Sequence, residues 1–209
     1  MKQNMISISG GCDSTAMLLM MLESDEPIID VVFFDWGREF PQVYDHLEKL
    51  EKYTGITITR LYPKEDWATN EDKYGVPRPR GNWCTARKTD RITKHRHSLG
   101  DVMDCIGFVY EERNRRPKYK PWQRYPLLER GVCKPEALKY CQERGFDWDG
   151  LYGPGMFDRV SCWCCFNKNK REQLVMQKHF PEYWEYWKQR YLSQPEVVDG
   201  LASVVEDGK

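Results

Sequence analysis

Long apolar runs, a secretion signal and internal repeats are all missing from this sequence of 209 residues. No stretch approaches the ~20 apolar residues that a membrane-spanning helix needs, and the N-terminus has no signal-peptide profile. We therefore expect a cytoplasmic protein with no membrane partner. Hydrophobic residues make up 40% of the chain and charged residues 31%, which is enough for one domain with a full core.

Net charge is also lacking, because 32 basic side chains balance 32 acidic ones. The two signs are nevertheless segregated along the chain. Acidic residues crowd positions 23–51, whereas positions 78–96 and 113–124 are strongly basic. A basic face of this kind favours an anionic ligand, either a nucleotide or a nucleic acid, although individual charges can equally be solvated surface groups.

A short apolar alternation and a long apolar run flank a polar, glycine-containing stretch that consists of Ser9, Gly10, Gly11, Cys12, Asp13, Ser14 and Thr15. This pattern predicts a buried strand that ends in a glycine turn and opens into a helix. Paired glycines let backbone N–H groups converge on an anion, and the helix N-terminus and nearby hydroxyl groups add to that site. Asp13 suits such a loop only if a cation accompanies the anion, so we infer phosphate groups bound together with Mg²⁺.

Strand and helix patterns alternate along the next part of the chain. Strands are predicted over residues 28–34, 56–61 and 103–108, and helices over residues 42–53 and 83–97. The intervening residues 62–82 predict a long loop. This order predicts an α/β fold with a doubly wound parallel sheet, whose ligands bind at the carboxyl ends of the strands.

The C-terminal part has a different character, with an amphipathic aromatic helix pair predicted around Pro181. We divide the chain into an α/β nucleotide-binding domain at residues 1–125 and a small helical, Cys-rich subdomain at residues 126–192. Residues 193–209 are predicted to form a mobile tail.

The glycine loop lacks the lysine spacing of a Walker-type loop. It resembles instead the S-G-G-x-D-S-T loop of the PP-loop ATP pyrophosphatases, which split ATP between its α and β phosphates. The variable position, often lysine in that superfamily, is Cys12 here. The resemblance implies an adenine nucleotide alpha hydrolase-like fold. It also implies that ATP binds through the loop residues, namely Ser9, Gly10, Gly11, Asp13, Ser14 and Thr15.

A second stretch resembles the D-T-G-x-x-F-P-E-T element of the phosphoadenosine phosphosulfate (PAPS) reductase branch of this superfamily. The matching residues are Asp35, Gly37, Phe40 and Pro41. The likeness implies that the main chain around Phe34, together with Asp35 and Gly37, contacts adenine. We place Gly107, at the end of a later strand, in the same nucleotide site. Trp36 replaces a threonine and either fills a gap, which we favour, or stacks on a base.

Two cations are candidates for catalysis by the same resemblance. Lys88 matches a lysine that follows the first cysteine position in the reductases, and Arg113 lies where they place a phosphate-contacting arginine. Either residue can instead be a surface charge.

Eight cysteines without an export signal argue against a disulfide framework and favour reduced thiols, with metal binding as their leading use. The Cys162-x-x-Cys165 spacing is typical of a metal hairpin. The reductase resemblance adds Cys84 and leaves the fourth ligand open: Cys164, another cysteine, or none. All-thiolate ligation suits a [4Fe–4S] cluster, which the resemblance favours, or Zn²⁺, and an empty site is the remaining alternative.

Three functions compete. The first is an ATP pyrophosphatase that adenylates an acceptor, for sulfur transfer or for modification of a nucleotide or nucleic acid. The second is a PAPS reductase, which needs a cysteine in a C-terminal E-C-G-x-H element, and no cysteine follows Cys165. The third is a non-catalytic nucleotide-binding module with a structural metal site, which Asp13 disfavours. A nucleotide substrate is common to all three, whereas a nucleic-acid or sulfur-donor partner and the oligomeric state are not predictable from the sequence.

Overall fold

The computed structural model describes residues 2–77, 82–115 and 120–192, so the predicted tail at residues 193–209 lies outside the described residues. The strands are Asn4–Ile8 (β1), Ile28–Phe34 (β2), Thr59–Leu61 (β3), Met103–Ile106 (β4) and Gln123–Arg124 (β5). They form one sheet in the order β3-β2-β1-β4-β5, and every neighbouring pair is parallel. The predicted α/β class with a parallel sheet is therefore confirmed.

Helices cover both faces of this sheet and form the C-terminal part. They are Cys12–Glu23 (α1), Pro41–Thr54 (α2), Trp67–Tyr74 (α3), Trp83–Ser98 (α4), Pro126–Glu129 (α5), Lys134–Gln142 (α6), Lys170–His179 (α7) and Pro181–Leu192 (α8). Short 3₁₀ helices occupy Tyr110–Arg115 and Trp148–Gly150. Within the described ranges, no helix combines the length and the apolar character that crossing a bilayer requires.

Alternating side chains of β1 and β2 enter two separate hydrophobic layers, because successive side chains of a strand point to opposite faces. The larger layer contains Ile6, Ile8, Val31 and Phe33 and is covered by α1 and α2. The smaller layer contains Met5, Val32 and Phe34 and is covered by α4. Burial of both faces explains why helices lie on both sides of the sheet, as in a doubly wound fold.

The aromatic C-terminal helices pack onto the larger layer. Trp184 and Trp187 are buried in the same cluster as Ile6 of β1. Trp163 stacks on Tyr183 of α8 with ring centroids 4.8 Å apart. The predicted pair of helices is present as α7 and α8, and the division of the chain at residue 125 stays a prediction.

Two predicted elements need correction. The predicted loop over residues 62–82 contains α3, whose start is fixed by the Asp66 carboxylate accepting a 2.7 Å hydrogen bond from the Thr69 N–H. The third strand begins later than predicted, because the Ile58 N–H donates to Glu51 Oε1 at 2.7 Å instead of joining the sheet. In both cases a single capping contact, rather than periodicity, sets the boundary.

Candidate functional site

The strand order places a topological switch point between β1 and β4, because the chain runs from β1 to β2 and β3 on one side and returns to β4 on the other. Ligands of open parallel sheets bind in the crevice at such a point. A cleft of about 360 Å³ lies there, beside α4. Its lining includes four of the predicted site residues, which are Ser9, Ser14, Lys88 and Gly107.

The glycine loop joins β1 to α1 through a backbone turn that only glycine allows at Gly10. This residue has φ +76°, and a Cβ at its position would lie 2.5 Å from Val43 Cγ1. A side chain there would strain the backbone and collide with α2. The Gly10 carbonyl accepts a 2.7 Å hydrogen bond from the indole N–H of the buried Trp148. This contact with a residue outside the loop stabilises the turn.

Serine hydroxyls close the loop around the first turn of α1. Ser14 Oγ accepts a hydrogen bond from the Ser9 N–H at 3.1 Å and donates to the Gly11 carbonyl at 3.0 Å. The helical ladder starts with the bond from the Thr15 N–H to the same carbonyl. The N–H groups of Asp13 and Ser14 precede it and have no partner within the helix, so they are suited to bind an anion.

One amide of this turn is already occupied by an aromatic side chain that the sequence analysis missed. The Cys12 N–H donates to the Tyr152 hydroxyl at 3.0 Å. A Cβ on Gly11 would lie 3.1 Å from that hydroxyl. Tyr152 and Trp148 thus stabilise the loop although they lie in the C-terminal part of the chain. No local sequence pattern around them indicates this contact.

Thr15 faces the protein interior. Its side chain is fully buried, and its hydroxyl donates to the Gly11 carbonyl at 3.0 Å and lies 2.9 Å from His46 Nε2. Burial, together with the Lys49 ammonium, lowers the pKa of His46 to about 3, so the imidazole is neutral near pH 7. Thr15 therefore braces the loop, and its contact with a nucleotide stays a prediction.

The neutral His46 makes stability depend on pH. Between about pH 6.5 and pH 3 the unfolded chain binds a proton on this imidazole that the folded chain does not, so stability falls as the pH falls. From pH 6.5 to pH 5 this loss is about 2 kcal/mol in the free energy of unfolding. We expect denaturant titrations of His46→Gln to lack this part of the slope. Equal slopes in wild type and His46→Gln would contradict the assignment.

Gly107, directly after β4, lies against the first turn of α1. A Cβ on Gly107 would lie 2.9 Å from both the N and the Cα atom of Ser14 and 3.1 Å from the Asp13 carbonyl carbon. These are backbone atoms, which cannot rotate away as a flexible side chain can. The missing side chain therefore lets the end of β4 approach the loop closely enough to form one wall of the cleft.

Asp13 forms an ion pair that the sequence analysis did not predict. Its carboxylate accepts a 2.7 Å hydrogen bond from Nζ of Lys134, the first residue of α6. The two side chains are 20% and 27% exposed, so the pair lies partly out of water. Asp13 directly precedes Ser14 of the cleft lining, and neither Asp13 nor Lys134 is among the described residues that form this lining. A cation of the protein itself thus faces the carboxylate for which we inferred Mg²⁺.

The two predicted catalytic cations lie in different places. Lys88 lines the cleft, together with Thr85 and Ile92 on the same face of α4. Arg113 is exposed in the 3₁₀ helix after β4, where it donates to the Tyr110 carbonyl at 3.2 Å and lies over the Tyr110 ring. The structure therefore brings Lys88 to the glycine loop, whereas the role of Arg113 stays a prediction.

A family model described as the phosphoadenosine phosphosulfate reductase domain matches residues 3–168. The chain belongs to this PAPS reductase domain family. The predicted membership of the PAPS reductase-like branch of the PP-loop superfamily is confirmed.

Relatives of this family member include two proteins from Methanocaldococcus jannaschii. Uncharacterized protein MJ0066 is 29% identical over 198 residues, which cover 90% of this chain and 41% of the relative. Uncharacterized protein MJ0973 is 24% identical over 190 residues, which cover 87% of this chain and 46% of the relative. The chain therefore spans less than half the length of these two relatives.

The fold of this PAPS reductase family member is similar to that of a solved structure. The crystal structure of PAPS reductase from Candida auris in a phosphate complex matches with a TM-score of 0.59 and 18% sequence identity. The match covers 78% of this chain and 82% of that one. At this identity the similarity establishes the shared α/β fold.

In this PAPS reductase family member the predicted adenine-contacting segment lies at the carboxyl end of β2. Among the described residues, those that line the cleft include none of Phe34, Asp35 and Gly37. The Asp35 carboxylate accepts a 2.6 Å hydrogen bond from the Gly37 N–H, and Phe34 is buried in the smaller hydrophobic layer. Trp36 packs edge-on against Phe34 and donates to the Cys84 carbonyl at 3.2 Å. Trp36 thus fills the gap between β2 and α4, as we favoured, and the adenine contacts stay predictions.

The predicted metal ligands are close in space but are not arranged as a metal site. The Cys165 N–H donates to the Cys162 carbonyl at 3.0 Å, and the free thiol of Cys162 makes hydrogen bonds with the thiols of Cys164 and Cys165. Burial raises the pKa of Cys84 to about 11, and the proximity of Cys165 acts in the same direction. Among the described residues, no three or more Cys, His, Asp or Glu side chains are arranged to hold a metal ion. The [4Fe–4S] cluster and Zn²⁺ therefore stay predictions.

Proposed function

We propose that this member of the PAPS reductase family is an ATP pyrophosphatase, which cleaves ATP to AMP and pyrophosphate and transfers the adenylyl group to an acceptor. The observation that carries the proposal is the meeting of the glycine loop and Lys88 in one cleft at the switch point. Unpaired N–H groups at the start of α1 suit a phosphate chain, and the ammonium of Lys88 adds a mobile positive charge.

The lining of the cleft combines apolar and polar groups. Ile92, Ile106 and Phe108 supply apolar surface for a base, and Ser9 and Ser14 supply the hydroxyl groups of the glycine loop. In the proposed reaction an acceptor oxygen attacks the α-phosphorus, and the bond from that phosphorus to the pyrophosphate oxygen breaks. The loop amides and Lys88 would stabilise the negative charge that develops on the phosphoryl oxygens. Mg²⁺ that accompanies ATP would be held by Asp13 and would neutralise charge on the pyrophosphate.

Sulfonucleotide reduction is the alternative function. Its chemistry needs a cysteine thiolate that attacks the sulfate sulfur, and the sequence contains no cysteine after Cys165. The residues present therefore favour the pyrophosphatase. Since the cysteines do not form a metal site as they stand, no step of the proposed reaction uses a cluster or zinc.

The outer face of α4 supports an acceptor that carries phosphate groups. Arg87, Arg91 and Lys94 lie along this face and, with Lys64, line a second hollow of about 200 Å³ in which four cations outnumber two carboxylates. Tyr74 is 45% exposed and its hydroxyl accepts a 3.1 Å hydrogen bond from Arg87. Cations next to an exposed aromatic ring are typical of surfaces that bind nucleic acids. We therefore propose a nucleic-acid acceptor, with a sulfur donor as the partner that supplies the transferred atom.

Product analysis tests the proposed reaction directly. Incubation of the protein with ATP, Mg²⁺, candidate nucleic acids and sulfide is expected to yield AMP and pyrophosphate in equal amounts, because the acceptor oxygen displaces pyrophosphate and sulfide then displaces AMP from the adenylated acceptor. Formation of ADP and phosphate instead would contradict the proposal. Lys88→Met is expected to weaken ATP binding or turnover roughly tenfold to a hundredfold, because a charge-assisted contact contributes about 1.5–3 kcal/mol. Lys2→Met is the control, because Lys2 is 55% exposed, pairs with Asp101 and lies outside both proposed binding surfaces, so this variant should keep the wild-type affinity for ATP and its turnover.

A further inference from the structure

Lys134 reaches the glycine loop from a helix 121 residues farther along the chain. Its backbone N–H donates to both carboxylate oxygens of Glu111, at 3.1 and 3.2 Å, which anchors the start of α6. Its side chain then crosses the ring of Tyr152, with Nζ 5.6 Å from the ring centroid, and ends at Asp13. Three separate contacts therefore hold this ammonium group at the edge of the loop.

The position of the Lys134 ammonium beside the loop is important for anion binding, because the neighbouring Asp13 is negatively charged. A lone carboxylate in the first turn of α1 would repel a phosphate chain, and the repulsion is strong where side chains are partly removed from water. The Lys134 ammonium, 2.7 Å away, offsets this charge within the protein.

The ammonium also retains hydrogen-bonding capacity. A lysine carries three N–H donors, and those of Lys134 bond to Asp13 and Cys12. At least one donor is therefore left for an incoming oxygen. We propose that Lys134 is a phosphate-binding residue of this site, which neutralises Asp13 and donates to the pyrophosphate part of the nucleotide. This inference rests on the proposed function.

Calorimetric titration with inorganic pyrophosphate, with and without Mg²⁺, tests the inference. Wild type is expected to bind pyrophosphate without Mg²⁺. Lys134→Met should weaken this binding roughly tenfold to a hundredfold, and Mg²⁺ should restore part of it by taking over the charge of Asp13. Lys139→Met is the matched control, because Lys139 lies on the same helix, is 77% exposed and pairs only loosely, at 3.8 Å, with Glu143.

Lys134→Arg keeps the charge and separates a phosphate-binding role from a structural one. It should retain more affinity than Lys134→Met, at equal melting temperature of the two variants. Equal pyrophosphate affinity in wild type and Lys134→Met would overturn this inference alone. Equal losses in both variants, with unchanged dependence on Mg²⁺, would show a structural brace and also overturn it. Absence of both pyrophosphate and ATP binding to wild type would overturn the proposed function as well.

Discussion

Replacement of Asp13 by asparagine is expected to reduce the formation of AMP and pyrophosphate from ATP at least ~1000-fold. The amide keeps the shape of the carboxylate but cannot neutralise Mg²⁺, and a metal ion contributes about 4 kcal/mol or more to stabilising such a transition state. The fold should persist, because the lost ion pair with Lys134 is partly exposed and contributes only about 1 kcal/mol. Binding of pyrophosphate without Mg²⁺ should not weaken, since the substitution removes a negative charge from the loop.

Asp101→Asn provides the matched control for this substitution. Asp101 pairs with Lys2 at 2.8 Å, close to the 2.7 Å of the pair of Asp13 with Lys134, but on the exposed surface before β4. This variant should keep wild-type turnover of ATP, measured as AMP released per enzyme. Undiminished AMP formation by Asp13→Asn would remove Asp13 from the mechanism.

Gly107→Ala is expected to damage both stability and turnover. The new Cβ would lie 2.9 Å from backbone atoms of Ser14, so β4 and the first turn of α1 must move apart. Overpacking of this kind costs about 1–3 kcal/mol of folding free energy. A displacement of the loop of about 1 Å lowers turnover roughly a hundredfold, because the phosphate groups are no longer aligned for attack.

Gly55→Ala is the control that separates the loss of stability from the loss of turnover. Gly55 caps α2 with φ +70°, and a Cβ there would meet no atom within 4 Å. The variant should lose about 1 kcal/mol of stability from backbone strain and should keep normal turnover per folded molecule. Denaturant titration and AMP release on the same samples provide the comparison. Normal turnover in Gly107→Ala would show that the loop tolerates the displacement.

The strand, loop and helix around Gly10 were predictable because their determinants are consecutive in the chain. The alternation before Ser9, the paired glycines and the apolar run after Thr15 all act locally. The place of the cleft was also predictable, since the carboxyl ends of parallel strands meet at one edge. Lys88, by contrast, was a candidate only through the resemblance to the reductases. Thr15 shows the limit of local sequence patterns. A hydroxyl group at this position of the loop suggested a contact with the ligand, but the buried Thr15 hydroxyl instead contacts His46 of α2.

Contacts over long sequence distances explain what the sequence analysis missed. No pattern near Lys134 indicates that its ammonium meets Asp13, because that contact depends on how α6 packs against α1. The need for glycine at position 107 likewise arises from the backbone of another element. The Cys-x-x-Cys spacing predicted the turn at Cys162, but no local signal could establish how Cys84 approaches it.

The bonds from Trp148 and Tyr152 to the glycine loop have a consequence for biosynthesis. A ribosome that has made residues 1–125 has already delivered every residue of the loop, but not the indole that binds the Gly10 carbonyl or the phenol that binds the Cys12 N–H. Strand β1 is also the middle strand of the sheet and gains its second neighbour only when β4 emerges. The nascent chain therefore completes the hydrogen bonds of the glycine loop only after Tyr152 has been synthesised.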